Sequence, residues 1–373
     1  MTVHLDRRQF LLGAGAAGLG LVLAGCSAGT PAAQKTSTAS VPATFPTGPV
    51  SLTMFVWAGS NQNVVPEAVV RQYEKDHPNV KINIVESNNT VTYPKMIAAK
   101  KTTPDQNYVD FGFFNASTFA QGDVDGMWEP LNLSKIPNSR HVLPEYIPSN
   151  HSGLGYQNTI MGLAYNTKDV PAPPTSWTEL WSSKNVGKVT TFDYQWEALV
   201  VAARLNGGSE KDIQPGFDIW SKHAKNFTAL VSSNDQLQNL LVTGDAWYAP
   251  WFQSITAGWT AAGAPLGYVT PKEGAIAFPA YLCTVTNLTP DQRFVAYDVI
   301  NQLLEPENAG RYGELTSSIP LTDNAKLSDA QKSNPDLQLS VARNAMQFDW
   351  ATIAKNNTAW TAEWNSEVKA NMG

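Results

Sequence analysis

From Val50 onward the apolar positions fall into two alternating periods. VSLTMFVWA, residues 50–58, alternates like a strand. PEAVVRQYEKDHP, residues 66–78, carries apolar residues at helical spacing, with Pro66 suited to a first helical turn and Pro78 to its stop. VKINIVES, residues 80–87, alternates again with Val80, Ile82 and Ile84 on one face. The three predict a βαβ unit, two parallel strands joined by a right-handed crossover. A helix over 93–101 and a buried strand over 108–114 follow. The run from Thr159 to Asn166 reads as a strand leading out of this first domain.

The same alternation resumes beyond it. Ser176-Trp177-Thr178-Glu179 has the spacing of a capping box. Residues 188–192 read as a strand, and 194–205, 217–227 and 237–242 as helices. Strands are expected at 245–249 and 266–269, the latter leading into Pro271-Lys272-Glu273-Gly274, and helices at 290–304 and 306–312. Strand and helix alternate in both halves, so both domains are expected to be α/β. No internal repeat interrupts this order.

The first 48 residues have a different texture. RRQFLLGAGAAGLGLVLAGC, residues 7–26, contains Gly13, Gly15 and Gly18 in the spacing of a dinucleotide loop. No strand precedes those glycines, and no acid occurs between Asp6 and Glu67, so the stretch lacks what a nucleotide site needs. Arg7-Arg8 followed by Phe10-Leu11 and an apolar run resembles a Tat-type export signal, too short for a comfortable membrane span. Leu23-Ala24-Gly25-Cys26 resembles the bacterial lipobox, which makes Cys26 the expected lipidation site and new N-terminus. Residues 1–25 are then a cleaved signal and 26–48 a lipid-anchored flexible linker, since 27–48 is rich in Ser, Thr, Ala and Pro with one charge.

Composition narrows the partners. Without residues 1–25 the chain holds 24 basic and 31 acidic residues, a net charge of −7, which disfavours nucleic acid. If Cys26 is acylated, Cys283 has no disulfide partner, and its apolar surroundings suit a small buried hydrophobe. About 348 residues exceed what one core usually serves, which favours two domains.

Six stretches, taken in order, carry a family resemblance: FVWA at 55–58, GLAYNTK at 162–168, PTSWTELW at 174–181, GDAWYAPW at 244–251, GYVTPKEGAIAF at 267–278 and LLEPENAGRYGELTSSIPLTDNA at 303–325. The series resembles the extracellular solute-binding proteins of ABC importers, in particular the spermidine/putrescine-binding branch. That resemblance implies a two-lobed periplasmic-binding-protein-like fold of type II, with a ligand cleft between the lobes and hinge closure on the solute. It places lobe 1 at 49–162 plus about 270–320 and lobe 2 at 163–269 plus about 321–373. It also implies delivery of the solute, a polyamine or other small organic amine, to a membrane permease, with no cofactor; together with the export signal and lipobox, a lipid-anchored monomer on the outer face of the cell membrane is expected.

Carried over by position, the family's contacts fall on Trp57, Asn115, Ser117, Asp193, Trp196, Phe252, Phe278 and Ser317. Several acids that hold amines in the family are missing: Gly59, Trp196 and Ala280 stand at such positions. A desolvated polyamine needs carboxylates or aromatic faces. Either Glu86, Asp110, Glu197 or Asp245 substitutes, or the solute is a monoamine, a quaternary ammonium compound or a neutral, sugar-like molecule. Trp57 and Trp196 also suit core positions, Asp193 also suits a helix cap, and Trp177 and Trp181 read as packing residues. His77, His141, His151 and His223 are scattered, with no metal motif and no nucleophile elbow, so the chain reads as a binding protein rather than a hydrolase.

Overall fold

The computed structural model describes residues 40–59 and 61–372; the expected signal segment, Cys26 and the linker up to residue 39 lie outside them. The chain opens as its periodicity predicts. β1 (Val50–Trp57), α1 (Val64–Asp76) and β2 (Val80–Ser87) form a βαβ unit, with β1 and β2 parallel from Val50 opposite Val80 to Trp57 opposite Ser87. α2 (Asn89–Thr102) leads to β3 (Phe111–Asn115), parallel to β1 on its other side. α3 (Ala116–Val124) and the short β4 (Trp128–Glu129) precede β5 (Leu154–Asn166), the long strand that leaves the first lobe.

The second lobe runs through β6 (Val189–Phe192), α4 (Glu197–Leu205), α5 (Gln214–Lys222), β7 (Phe227–Val231), α6 (Asn234–Thr243), β8 (Tyr248–Phe252), α7 (Gln253–Ala261) and β9 (Leu266–Val269). The helix expected over 217–227 ends earlier, because Phe227 begins a strand parallel to β6. β10 (Ile276–Val285) then returns, followed by α8 (Pro290–Leu303), α9 (Pro306–Thr316), β11 (Ile319–Pro320), α10 (Asp329–Ser333), α11 (Leu339–Asn344) and α12 (Trp350–Glu363).

Among the described residues one sheet carries both lobes, in the order β2-β1-β3-β10-β5-β8-β6-β7. β10 runs antiparallel to both β3 and β5, and β5 in turn runs antiparallel to β8, so the first lobe's parallel set β2-β1-β3 and the second lobe's parallel set β8-β6-β7 are joined through antiparallel pairs. The hydrophobic cores divide along these two strands. Ile160 packs with the first core and its neighbour Met161 with the second; on β10, Ile276 belongs to the second core and Leu282 to the first. A third crossing lies beside them, where Met346 N–H donates to Ala275 (2.7 Å) and Ala277 N–H to Met346 (3.0 Å). The stretch from 321 to about 342, expected in lobe 2, stays with lobe 1: Leu321, Leu337 and Ala342 bury in the first core, and Tyr146 O–H donates to the Ala342 carbonyl (2.8 Å).

Two local expectations give way to longer-range contacts. Ser176 does cap the short helix at Trp177–Trp181, accepting from Thr178 N–H (3.1 Å), but Glu179 does not close a box. The partner is Glu273, 97 residues away, whose carboxylate accepts from the Ser176 hydroxyl and from Trp177 N–H (3.3 Å). Gly274 follows at φ 103°, a conformation that favours glycine, and its carbonyl accepts from the Trp177 indole (2.8 Å). Trp177 and Trp181 are buried in the second core, as expected of packing residues.

The end of the expected linker is also not free. Phe45 stacks on His77 at 4.1 Å, Asn79 donates to the carbonyls of Pro46 and Gly48, and Arg293 donates to that of Ser40 (2.7 Å). Arg293 is itself buried and paired with buried Glu129. Residues 40–48 therefore lie docked on lobe 1, because Phe45 and the buried guanidinium give this stretch apolar and polar partners that its composition does not reveal.

Candidate functional site

Between the lobes lies a cleft in two chambers, of about 610 Å³ and 560 Å³. Its walls form where strands end and helices begin, the usual place for a crevice in open α/β sheets. Trp57 ends β1; Asn115 ends β3 and caps α3, accepting from Thr118 N–H (2.9 Å); Phe252 ends β8 and precedes α7. Between β6 and α4 the chain turns through Tyr194 at φ 58°, which brings Asp193 through Glu197 onto the wall.

All eight residues singled out from the sequence line this cleft, but in two groups. Asn115, Ser117, Asp193, Trp196 and Phe278 line the first chamber. Trp57, Phe252 and Ser317 line the second. Phe252 of the second chamber and Phe278 of the first meet edge to face, 4.8 Å between centroids, so that pair stands between the two chambers. Ser317 is held at φ 50° at the end of α9.

Several aromatics are anchored from behind. Trp196 is buried, donates its indole N–H to Asn357 (2.7 Å) and packs edge-on against Trp360 and Trp364, so it is largely a core residue with one edge on the cleft. Trp57 packs near Phe113, and its indole N–H is buried without a partner. Phe192 lies flat against Trp251 at 4.6 Å.

Charge is scarce. Among the described residues, Asp193 and Glu197 are the ionic side chains of the first chamber, and the second has none, being lined by aromatic, amide and hydroxyl groups such as Trp259, Gln62, Gln157 and Thr159. Asp193 is already paired: Lys369 Nζ donates to its Oδ2 at 2.8 Å. Glu197 has one carboxyl oxygen buried with no partner. Burial pushes its pKa up to about 7, opposed only in part by a hydrogen bond from its own backbone N–H.

The other acids considered as substitutes serve elsewhere. Asp110 accepts from Thr53 N–H (2.7 Å) and Asn107, bracing β1; Glu86 accepts from Asn63 on the surface; Asp245 is exposed and accepts from Thr243. Ala280 is fully buried in the sheet, between Asn115 and Gln157 of the adjacent strands. Cys283 is buried, and burial pushes its thiol well above its ordinary range. Among the described residues no cluster of three or more His, Cys, Asp or Glu is placed for a metal, and no helix is long and apolar enough to cross a membrane.

The sequence reading missed one wall altogether. Trp350, Ile353 and Asn357 of α12 line the first chamber. Trp350, Ile353, Asn357, Trp360 and Trp364 recur at helical spacing in the sequence, which was a usable signal.

Comparison with known proteins agrees with this architecture. The profile of the bacterial extracellular solute-binding protein family matches residues 68–338. Among solved structures, an ABC transporter protein from Clostridium perfringens is similar at a TM-score of 0.73 and 21% identity, over 85% of this chain and 99% of that one. PotD, a spermidine/putrescine ABC transporter substrate-binding protein from Streptococcus pneumoniae crystallised with calcium and HEPES, gives 0.70 and 18%, over 87% and 99%. AfuA of Actinobacillus pleuropneumoniae, with bound fructose-6-phosphate, gives 0.61 and 17%, over 86% and 99%. No curated protein sequence matches. At these identities the solved structures establish the two-lobed fold.

Glu197→Gln tests the electrostatics of the cleft. A carboxyl whose pKa is raised in the folded state weakens folding as pH rises from its unfolded value, near 4.5, through about 7, and costs nothing below that window. The substitution is expected to stabilise the protein by ~1–3 kcal/mol near pH 8 and hardly at all near pH 4. Urea unfolding at the two pH values measures this, and an equal effect at both would contradict it.

Proposed function

The chain is a member of the bacterial extracellular solute-binding protein family, and we propose that its solute is a small organic cation with one positive charge, held in the inter-lobe cleft. Proteins of this family are exported, bind a small molecule and pass it to the membrane permease of an ABC transporter. One observation carries the choice of ligand: Glu197 is an unpaired, desolvated carboxyl, whereas the other acid of the cleft already has a cation of its own. An ammonium group supplies what Glu197 lacks, and aromatic faces offset the cation's lost hydration.

A second charge on the solute would find no second acid. An anion is disfavoured more strongly, since no Lys, Arg or His lines either chamber among the described residues. The second chamber, with Trp57, Trp259 and several amides and hydroxyls, suits the uncharged remainder of the solute. A wholly neutral, sugar-like solute is the alternative, favoured by that chamber's composition. Closure would come from bending where β5, β10 and residues 344–348 cross between the lobes. We further propose that the protein works as a monomer, exported by the Tat-type signal and tethered through acylated Cys26.

Thermal melting of the soluble domain with 1-aminobutane, choline, spermidine and glucose tests the ligand. The singly charged compounds are expected to raise the melting temperature by mass action, with spermidine and glucose much weaker. Trp57→Ala is expected to weaken binding by roughly 5- to 30-fold. Stabilisation by glucose or spermidine alone would contradict the reading. For the anchor, Cys26→Ser is expected to release the protein from membranes, and unchanged retention would contradict lipidation.

A further inference from the structure

We propose that Lys369 is a built-in ammonium that occupies Asp193 and restricts the cleft to solutes carrying a single positive charge. The inference rests on the cation reading above and adds the residue that sets its charge limit. Asp193 and Glu197 lie four residues apart in sequence, on either side of the turn at Tyr194, on the wall of one chamber, an arrangement that by itself would suit a solute with two ammonium groups. Lys369 removes one of the two. Its Nζ sits 2.8 Å from Asp193 Oδ2 and 3.2 Å from the Tyr194 hydroxyl, and 4.7 Å from the centre of the Tyr194 ring.

The lysine reaches this place from the far end of the chain, 176 residues away. Trp364 and Val368 are buried in the second core immediately before it, and Met372 packs against that core just after. The backbone is thus fixed on both sides, and the side chain is delivered to Asp193 rather than wandering onto it. Tyr194 donates in turn to Asn365 (3.2 Å), which ties the aromatic to the same C-terminal segment. The pairing holds the Lys369 ammonium above the ordinary lysine range, so it stays charged.

With Asp193 neutralised by Lys369 from behind the wall, the chamber is left with one negative charge, that of Glu197 when ionised. A second ammonium entering near Asp193 would meet Lys369 at close range and gain no unpaired acid. Asp193 retains one buried oxygen without a partner, which marks where a competing cation would bind if the lysine were gone.

Two matched probes, 1-aminobutane and 1,4-diaminobutane, separate a charge limit from a merely structural role. In Lys369→Met, which keeps the aliphatic stem and removes the charge, the affinity for the diamine relative to the monoamine is expected to rise by about 10-fold or more over wild type. Asp193→Asn combined with Lys369→Met should return the ratio to the wild-type value. Lys369→Gln, which keeps a donor to Asp193, serves if the methionine variant does not fold. An unchanged ratio in a folded Lys369 variant, with monoamine still bound, overturns the role of Lys369 and leaves the cation reading standing. Binding of neither amine by wild type or variant overturns both.

Discussion

β5 and β10 pair antiparallel from Ile276 opposite Met161 to Leu282 opposite Leu154, and each begins in one hydrophobic core and ends in the other. Everything else about the molecule follows from that shared ladder. Two cores that meet on a pair of strands are held side by side there, since each strand is packed into both. The register slips between Ala280 and Tyr281, close to where the cores change over. Residues on these strands that face the gap, such as Phe278 and Thr159, therefore form the floor of a cleft.

The chemistry of that cleft is set by scarcity. Aromatic rings and neutral amides make most of its surface, and they bind flat or hydroxylated groups without fixing a charge. The two acids decide the rest. Asp193 is half-buried on the chamber wall and is neutralised by Lys369 from within the same lobe. Glu197 opens α4, where the positive end of the helix dipole favours a carboxylate, yet burial outweighs this and raises its pKa. A group poised near neutrality, with one carboxyl oxygen unpartnered and facing a cavity, is what a cationic solute can complete.

How much of this the sequence discloses depends on distance along the chain. The βαβ unit, α8 and α9 were legible because their periodicity and bounding prolines act within a few residues. β10 was not, since its apolar run is buried at every position but Phe278 and Tyr281, and Pro279 interrupts it, so neither alternation nor length marks a strand. Ser176 was recognised as a cap, but its acid lies at Glu273, and no local spacing encodes that. The family resemblance placed eight residues on the cleft wall, yet it did not separate them into two chambers or show that Asp193 is occupied. Those facts depend on Lys369 and on α12, which reach the cleft only through the folding of the C-terminal segment.

The central claim is that a cationic solute binds by ionising Glu197, and its proton inventory is measurable. Calorimetry of 1-aminobutane binding near pH 6, in two buffers of different ionisation heat, should show release of close to one proton from the wild-type protein. Glu197→Gln should release none. Binding by the wild-type protein without proton release would contradict the account.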